Sequence, residues 1–134
     1  MGNGRVVFGV PTSVESPRVA RAAVRDFAVA HGLDGDPLDV ALLVATELVA
    51  NAVAHGKPPI TLELELLDDR VLRIEVCDAG TFIDDINAIR TGNLSATGRG
   101  LKIVRGFARA WRVERRANGK SVSAEINVRP HATE

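Results

Sequence analysis

The chain has 134 residues, 46% of them hydrophobic and 25% charged, which supports a single globular domain over 1–134 with a substantial core. Seventeen basic residues offset seventeen acidic ones and neither sign forms a long run, which argues against direct nucleic acid binding and against an anionic membrane surface. One cysteine, Cys77, excludes an intrachain disulfide, no apolar signal core opens the chain and the longest apolar run, Val40 to Ala45, is too short to span a bilayer, so a cytoplasmic setting is expected.

Arg5 to Val10 reads as a short strand. Ser16 followed by Pro17 gives an N-cap and first-turn pair for a first helix ending near Gly32, with Val19, Ala22, Ala23, Phe27 and Ala30 at helical spacing. Asp36 followed by Pro37, with Asp39 three residues past the cap, opens a second helix by the same device, and Gly56 is placed to stop it. Within that helix Glu47 and Asn51 project from one face, one turn apart, and His55 continues the stripe. Their neighbours, among them Val44, Leu48, Val49 and Ala52, are apolar. Leaving a carboxamide unpartnered there costs roughly 2–7 kcal/mol and a carboxylate more, so something polar should meet them.

Pro58 and Pro59 bar further helix, and Ile60 to Leu66 alternates apolar with mostly polar residues, as a half-buried strand does. Asp68-Asp69 turns the chain into a second alternating strand, Val71 to Cys77, so the two should form an antiparallel hairpin with Asp78 at its end. Cys77 reads as a small core residue. Residues 79 to 97 form a long loop with a helical turn near Asp84 to Ile89; a loop of that length in a small domain is usually functional. A third helix is expected over Gly100 to Ala110, then a hairpin of Trp111 to Arg116 and Ser121 to Val128 around Asn118-Gly119. The order fits an α+β, two-layer α/β sandwich, with three helices packed on one face of a mixed, largely antiparallel sheet.

The chemistry follows from a few side chains. Gly98-Arg99-Gly100-Leu101 stands where the loop becomes a helix, and free N–H groups at a glycine-rich helix start can cradle phosphate, although such a start also occurs without any ligand. Asp78 can cap a turn or accept the exocyclic amine of a base such as adenine, with Gly80 keeping the pocket floor open. Asn51 offers a neutral oxygen of the kind Mg²⁺ accepts beside phosphate and water, and Glu47 can take a proton from an attacking hydroxyl. None of the three histidines stands as a phosphoacceptor: His31 and His131 are expected in solvent, and His55 is expected to satisfy a hydrogen bond near its helix end.

Taken in order, Glu47 to Asn51 with His55-Gly56, then Asp78-Ala79-Gly80, then Gly98-Arg99-Gly100-Leu101 resemble the three ATP-binding boxes of the superfamily that contains DNA gyrase, heat-shock chaperones, histidine kinases and mismatch-repair ATPases. The stand-alone form is most similar to bacterial anti-sigma-factor serine kinases, and the likeness covers about residues 5–128. It implies the Bergerat ATP-binding fold, Mg²⁺ on Asn51, Glu47 as general base, Asp78 on the adenine amino group, Gly80 lining the pocket, and the 98–101 segment receiving phosphates beneath a lid of residues 81–97. It also implies three partners: a sigma factor, a STAS-type anti-anti-sigma protein phosphorylated on serine or threonine, and a second copy in a homodimer. The chain departs from the pattern in two places. Phe82 stands where many members have a further glycine, and Lys120, beside Ser121, stands where the wider superfamily has a threonine supporting the adenine aspartate. A non-catalytic binding module, and a structural domain in which Glu47 and Asn51 pair locally, are the competing readings.

Overall fold

A computed structural model describes residues 4–80, 104 and 106–129. The described elements run β1 (Arg5–Val10), α1 (Ser16–His31), α2 (Gly35–His55), β2 (Ile60–Leu67), β3 (Val71–Asp78), β4 (Ala110–Arg116) and β5 (Gly119–Asn127). The expected loop, its lid and nearly all of the third helix lie outside the described residues, apart from helical backbone at 104 and 106–107.

The five strands form one sheet in the order β1-β2-β3-β5-β4, and every pairing is antiparallel, so among the described residues the sheet has no parallel strand. Alternation decides which side chains face the helices. Ile60, Leu62 and Leu64 of β2, Leu72, Ile74 and Val76 of β3, and Val122, Ala124 and Ile126 of β5 are buried in the core. The helices complete that core with Ala20, Ala23, Val24 and Phe27 of α1 and with Val44, Ala45, Leu48 and Val49 of α2. Helix α2 packs on α1 and on the inner face of β3 and β5. It is also long and apolar enough to cross a membrane by length and composition, which the short Val40 to Ala45 run did not suggest. Its apolarity has an internal use, because it meets a helix on one side and the sheet on another.

Several local expectations shift. Ser16 is buried as the first residue of α1 rather than capping it, because the chain already turns before it. The Ser13 hydroxyl accepts from the Glu15 N–H at 3.1 Å, the Ser13 carbonyl accepts from the Ser16 N–H at 3.0 Å, and Glu15 is the N-cap. Likewise α2 starts at Gly35, with extended Asp34 as its N-cap and Asp36 inside the first turn. Neither N-cap residue makes a side-chain cap bond, so the two predicted caps do not form. The stops hold: Gly32 ends α1 with φ 69°, a conformation that favours glycine, and Gly56 follows α2. Asp68 and Asp69, both at positive φ, turn β2 into β3. The second hairpin turns one residue earlier than expected, at 117–118, since Arg116 pairs with Gly119. His31 is half-buried rather than solvated, its ring 4.3 Å from that of Phe27 between centroids, whereas His131 lies outside the described residues.

Candidate functional site

The site is built where α2 crosses the open ends of β3 and β5. The even-numbered residues of β3 face the helices, so the apolar row Leu72, Ile74, Val76 ends in a carboxylate, Asp78, on the core side. Across the strand pair Asp78 stands opposite Lys120, as Val76 stands opposite Val122. From α2, Leu48, Asn51, Ala52 and His55 come down on these residues and enclose a small cavity of about 10 Å³ with Val76, Asp78, Lys120 and Val122. That is room for one water molecule at most.

Asp78 is held on both oxygens. Its Oδ1 accepts from the Gly80 N–H at 2.6 Å and, at 3.4 Å, from the Lys57 N–H; its Oδ2 accepts from the Lys120 ammonium. Both side chains of that ion pair are only 3% exposed. The Ala79 N–H donates to the Lys57 carbonyl at 2.8 Å, which pins the strand end against the segment leaving α2. Three glycines allow this crowding. A Cβ at Gly80 would stand 2.8 Å from Asp78 Oδ1, one at Gly56 would collide with the carboxylate, and one at Gly119 would collide with the Asp78 and Ala79 backbone.

The structure thus brings together Asn51, Asp78 and Gly80 of the predicted set, and places His55, expected only to satisfy a hydrogen bond at its helix end, beside them. Asn51 is buried and His55 is exposed at the cavity rim. Glu47 lies half-buried one turn earlier on the same helix, beyond the residues that line the cavity. Gly98, Arg99, Gly100 and Leu101 lie outside the described residues. Lys57 and Gly119 carry no local sign of a site, and Gly56, although it follows the first box, reads locally as a helix stop. The glycines looked like an ordinary helix stop and an ordinary turn, and their service to Asp78 appears only once distant segments meet. Lys120, which stands where the wider superfamily has a threonine, is the cationic partner of Asp78.

No group of three or more acidic, histidine or cysteine side chains placed to hold a metal occurs among the described residues. A metal here would take protein ligands singly, beside oxygens of a substrate. Asn51 suits that role, because its carboxamide oxygen is a hard, neutral donor on the buried side of the cavity, and Mg²⁺ ordinarily keeps water and phosphate in most of its positions.

A larger hollow of about 600 Å³ opens on the opposite face of the sheet. Its charges answer one another: Arg5 donates to Glu63 at 2.7 Å, Arg73 to Glu65 at 2.6 Å, and Arg116 to Glu75. Burial works to raise the Glu75 carboxyl, but bonds from Arg116 and Ser121 and the Arg116 charge outweigh it, so Glu75 titrates below the usual carboxylate range. Cys77 lies on this face too, half-buried rather than in the core, and burial with the nearby Glu75 charge pushes its thiol up.

The family model described as histidine kinase-like ATPase domain matches residues 10–126. A comparison with curated proteins gives no match. Among solved structures, the chain is similar to the crystal structure of the RsbU and RsbW domains of Rv1364c from Mycobacterium tuberculosis, with a TM-score of 0.70 and 20% identity. That likeness covers 94% of this chain and 33% of the other, so this chain spans about a third of its length, and at such identity the likeness speaks to the fold.

Proposed function

The chain belongs to the histidine kinase-like ATPase domain family, and from that membership we propose that it binds Mg-ATP and acts as a cytoplasmic anti-sigma factor and protein serine/threonine kinase, phosphorylating a STAS-type antagonist and holding a sigma factor as a homodimer. The observation that carries the reading is the meeting of Asp78 and Asn51 across one cavity, with Glu47 one turn from Asn51 on the same helix. Asp78 offers a carboxylate at the closed end, where a base amino group would donate to it. Asn51 would hold Mg²⁺, which when bound offsets phosphate charge. Glu47 is the group within this set able to accept the proton of an attacking serine or threonine hydroxyl. In that transfer the hydroxyl oxygen bonds to the γ-phosphorus, the bond to the β-bridging oxygen breaks, ADP leaves, and the proton ends on Glu47.

One observation favours a second reading, a regulator that binds its protein partner without turning ATP over. The base end is closed, with Lys120 on Asp78 and a cavity of only about 10 Å³. The two readings separate in one experiment. The protein is titrated calorimetrically with Mg-ATP and then incubated with γ-labelled ATP and each purified STAS-domain protein of the source organism. Kinase function predicts saturable binding and label on a serine or threonine of one of them, with Glu47→Gln retaining binding and losing transfer by roughly 10²–10⁴-fold. Absence of saturable binding, or binding with no transfer to any of them, would instead favour the regulator.

A further inference from the structure

We propose that Lys120 sets the nucleotide affinity of this chain: its ammonium is the resident occupant of the base-binding end, and a purine enters only by displacing it from Asp78. The inference rests on the reading of Asp78 as base acceptor. The register of β3 and β5 puts Lys120 directly opposite Asp78, and both side chains point to the α2 side. Lys120 bonds Oδ2 while Gly80 and Lys57 N–H groups bond Oδ1, so neither carboxylate oxygen is vacant. The ammonium also hangs over the pocket floor, since a Cβ at Gly80 would be 3.4 Å from Lys120 Nζ. With both side chains 3% exposed and about 10 Å³ of space, no purine ring fits beside the pair.

Exchange costs affinity for a definite reason. A base amine is a neutral donor, and it would replace a charge-assisted bond to the same carboxylate. The displaced ammonium must also leave its buried counter-charge. Lysine permits such an exchange because its charge sits on a flexible four-carbon stem that can swing the head away. The lysine therefore lowers affinity rather than abolishing it, and removing it leaves Asp78, Gly80 and the apolar walls in place to receive the base.

The test is a calorimetric titration of Mg-ATP into the full chain and into Lys120→Ser, each checked for fold by circular dichroism. The expected result is binding at least tenfold tighter in Lys120→Ser than in the unaltered chain. Lys120→Met, which keeps the apolar stem and removes the charge, carries the same direction of change and serves if the serine variant does not fold. Equal or weaker binding by a folded variant, with the unaltered chain binding, overturns the role of Lys120 and leaves the nucleotide reading standing. If neither the unaltered chain nor a folded Lys120 variant binds Mg-ATP, the nucleotide reading fails and this proposal with it.

Discussion

Strand β3 carries two acidic residues three positions apart, on opposite faces of the sheet, and each is met by a basic side chain from the second hairpin. Glu75 faces outward and meets Arg116, which is 45% exposed; Asp78 faces inward and meets Lys120, with both side chains 3% exposed. The outer pair belongs to a row of charges on the open face of the sheet, and water reaches it from the Arg116 side, the Glu75 side chain being 7% exposed. The inner pair has been removed from water, lies under an apolar helix, and is crowded by three glycines. The difference teaches that an ion pair's meaning depends on where it sits. The outward pair stabilises a sheet surface modestly, whereas the inward pair closes one end of a cavity that it shares with Asn51 and His55.

The comparison is broken most directly by cutting each pair in turn. Asp78→Asn leaves the Lys120 ammonium buried without its counter-charge and should cost about 3–5 kcal/mol in urea unfolding. Gly119→Ala should be intermediate, about 1–3 kcal/mol, because the new methyl meets the Asp78 and Ala79 backbone, and it should weaken Mg-ATP binding too. Glu75→Gln should cost least, about 1 kcal/mol at neutral pH, since the buried amide oxygen can still accept from Arg116 while the exposed guanidinium keeps water and Glu114. Equal losses in Asp78→Asn and Glu75→Gln would mean that the two faces are alike.

The same contrast has a pH signature. The folded Glu75 carboxyl lies below its unfolded value, so its contribution to stability is fully present above the unfolded pKa and is lost as pH falls through the folded one. Urea midpoints measured from pH 6 downward should therefore fall less steeply in Glu75→Gln than in the unaltered chain, and an unchanged slope would deny the carboxylate that role.

The sequence made the inner site partly legible, and the reason lies in range. Alternation over Ile60 to Leu66 and Val71 to Cys77 located an antiparallel hairpin that the structure bears out, and helical spacing put Asn51 on the face that meets Asp78. These are signals within one element. The two helix starts were misplaced because Ser16 and Asp36 had the right chemistry for caps, while the chain had already begun to wind before each. Gly56, Gly119 and Lys120 were harder, because what they do depends on a carboxylate far away in sequence. A glycine after a helix and a glycine after a turn have sufficient local reasons to exist. Only the approach of Asp78 reveals the second one.

The ties of Asp78 also bear on when this site can come into being. Lys57 precedes it by 21 residues and Lys120 follows it by 42, so the site draws on segments from both sides of the chain. During synthesis the carboxylate, its helix and its glycine floor would all emerge well before the strand that supplies the lysine and covers the exposed edge of β3. A ligand can therefore favour folding here only at the last stage, after the final hairpin has closed, and an interrupted chain would carry an uncovered central strand edge with a solvated carboxylate at its end.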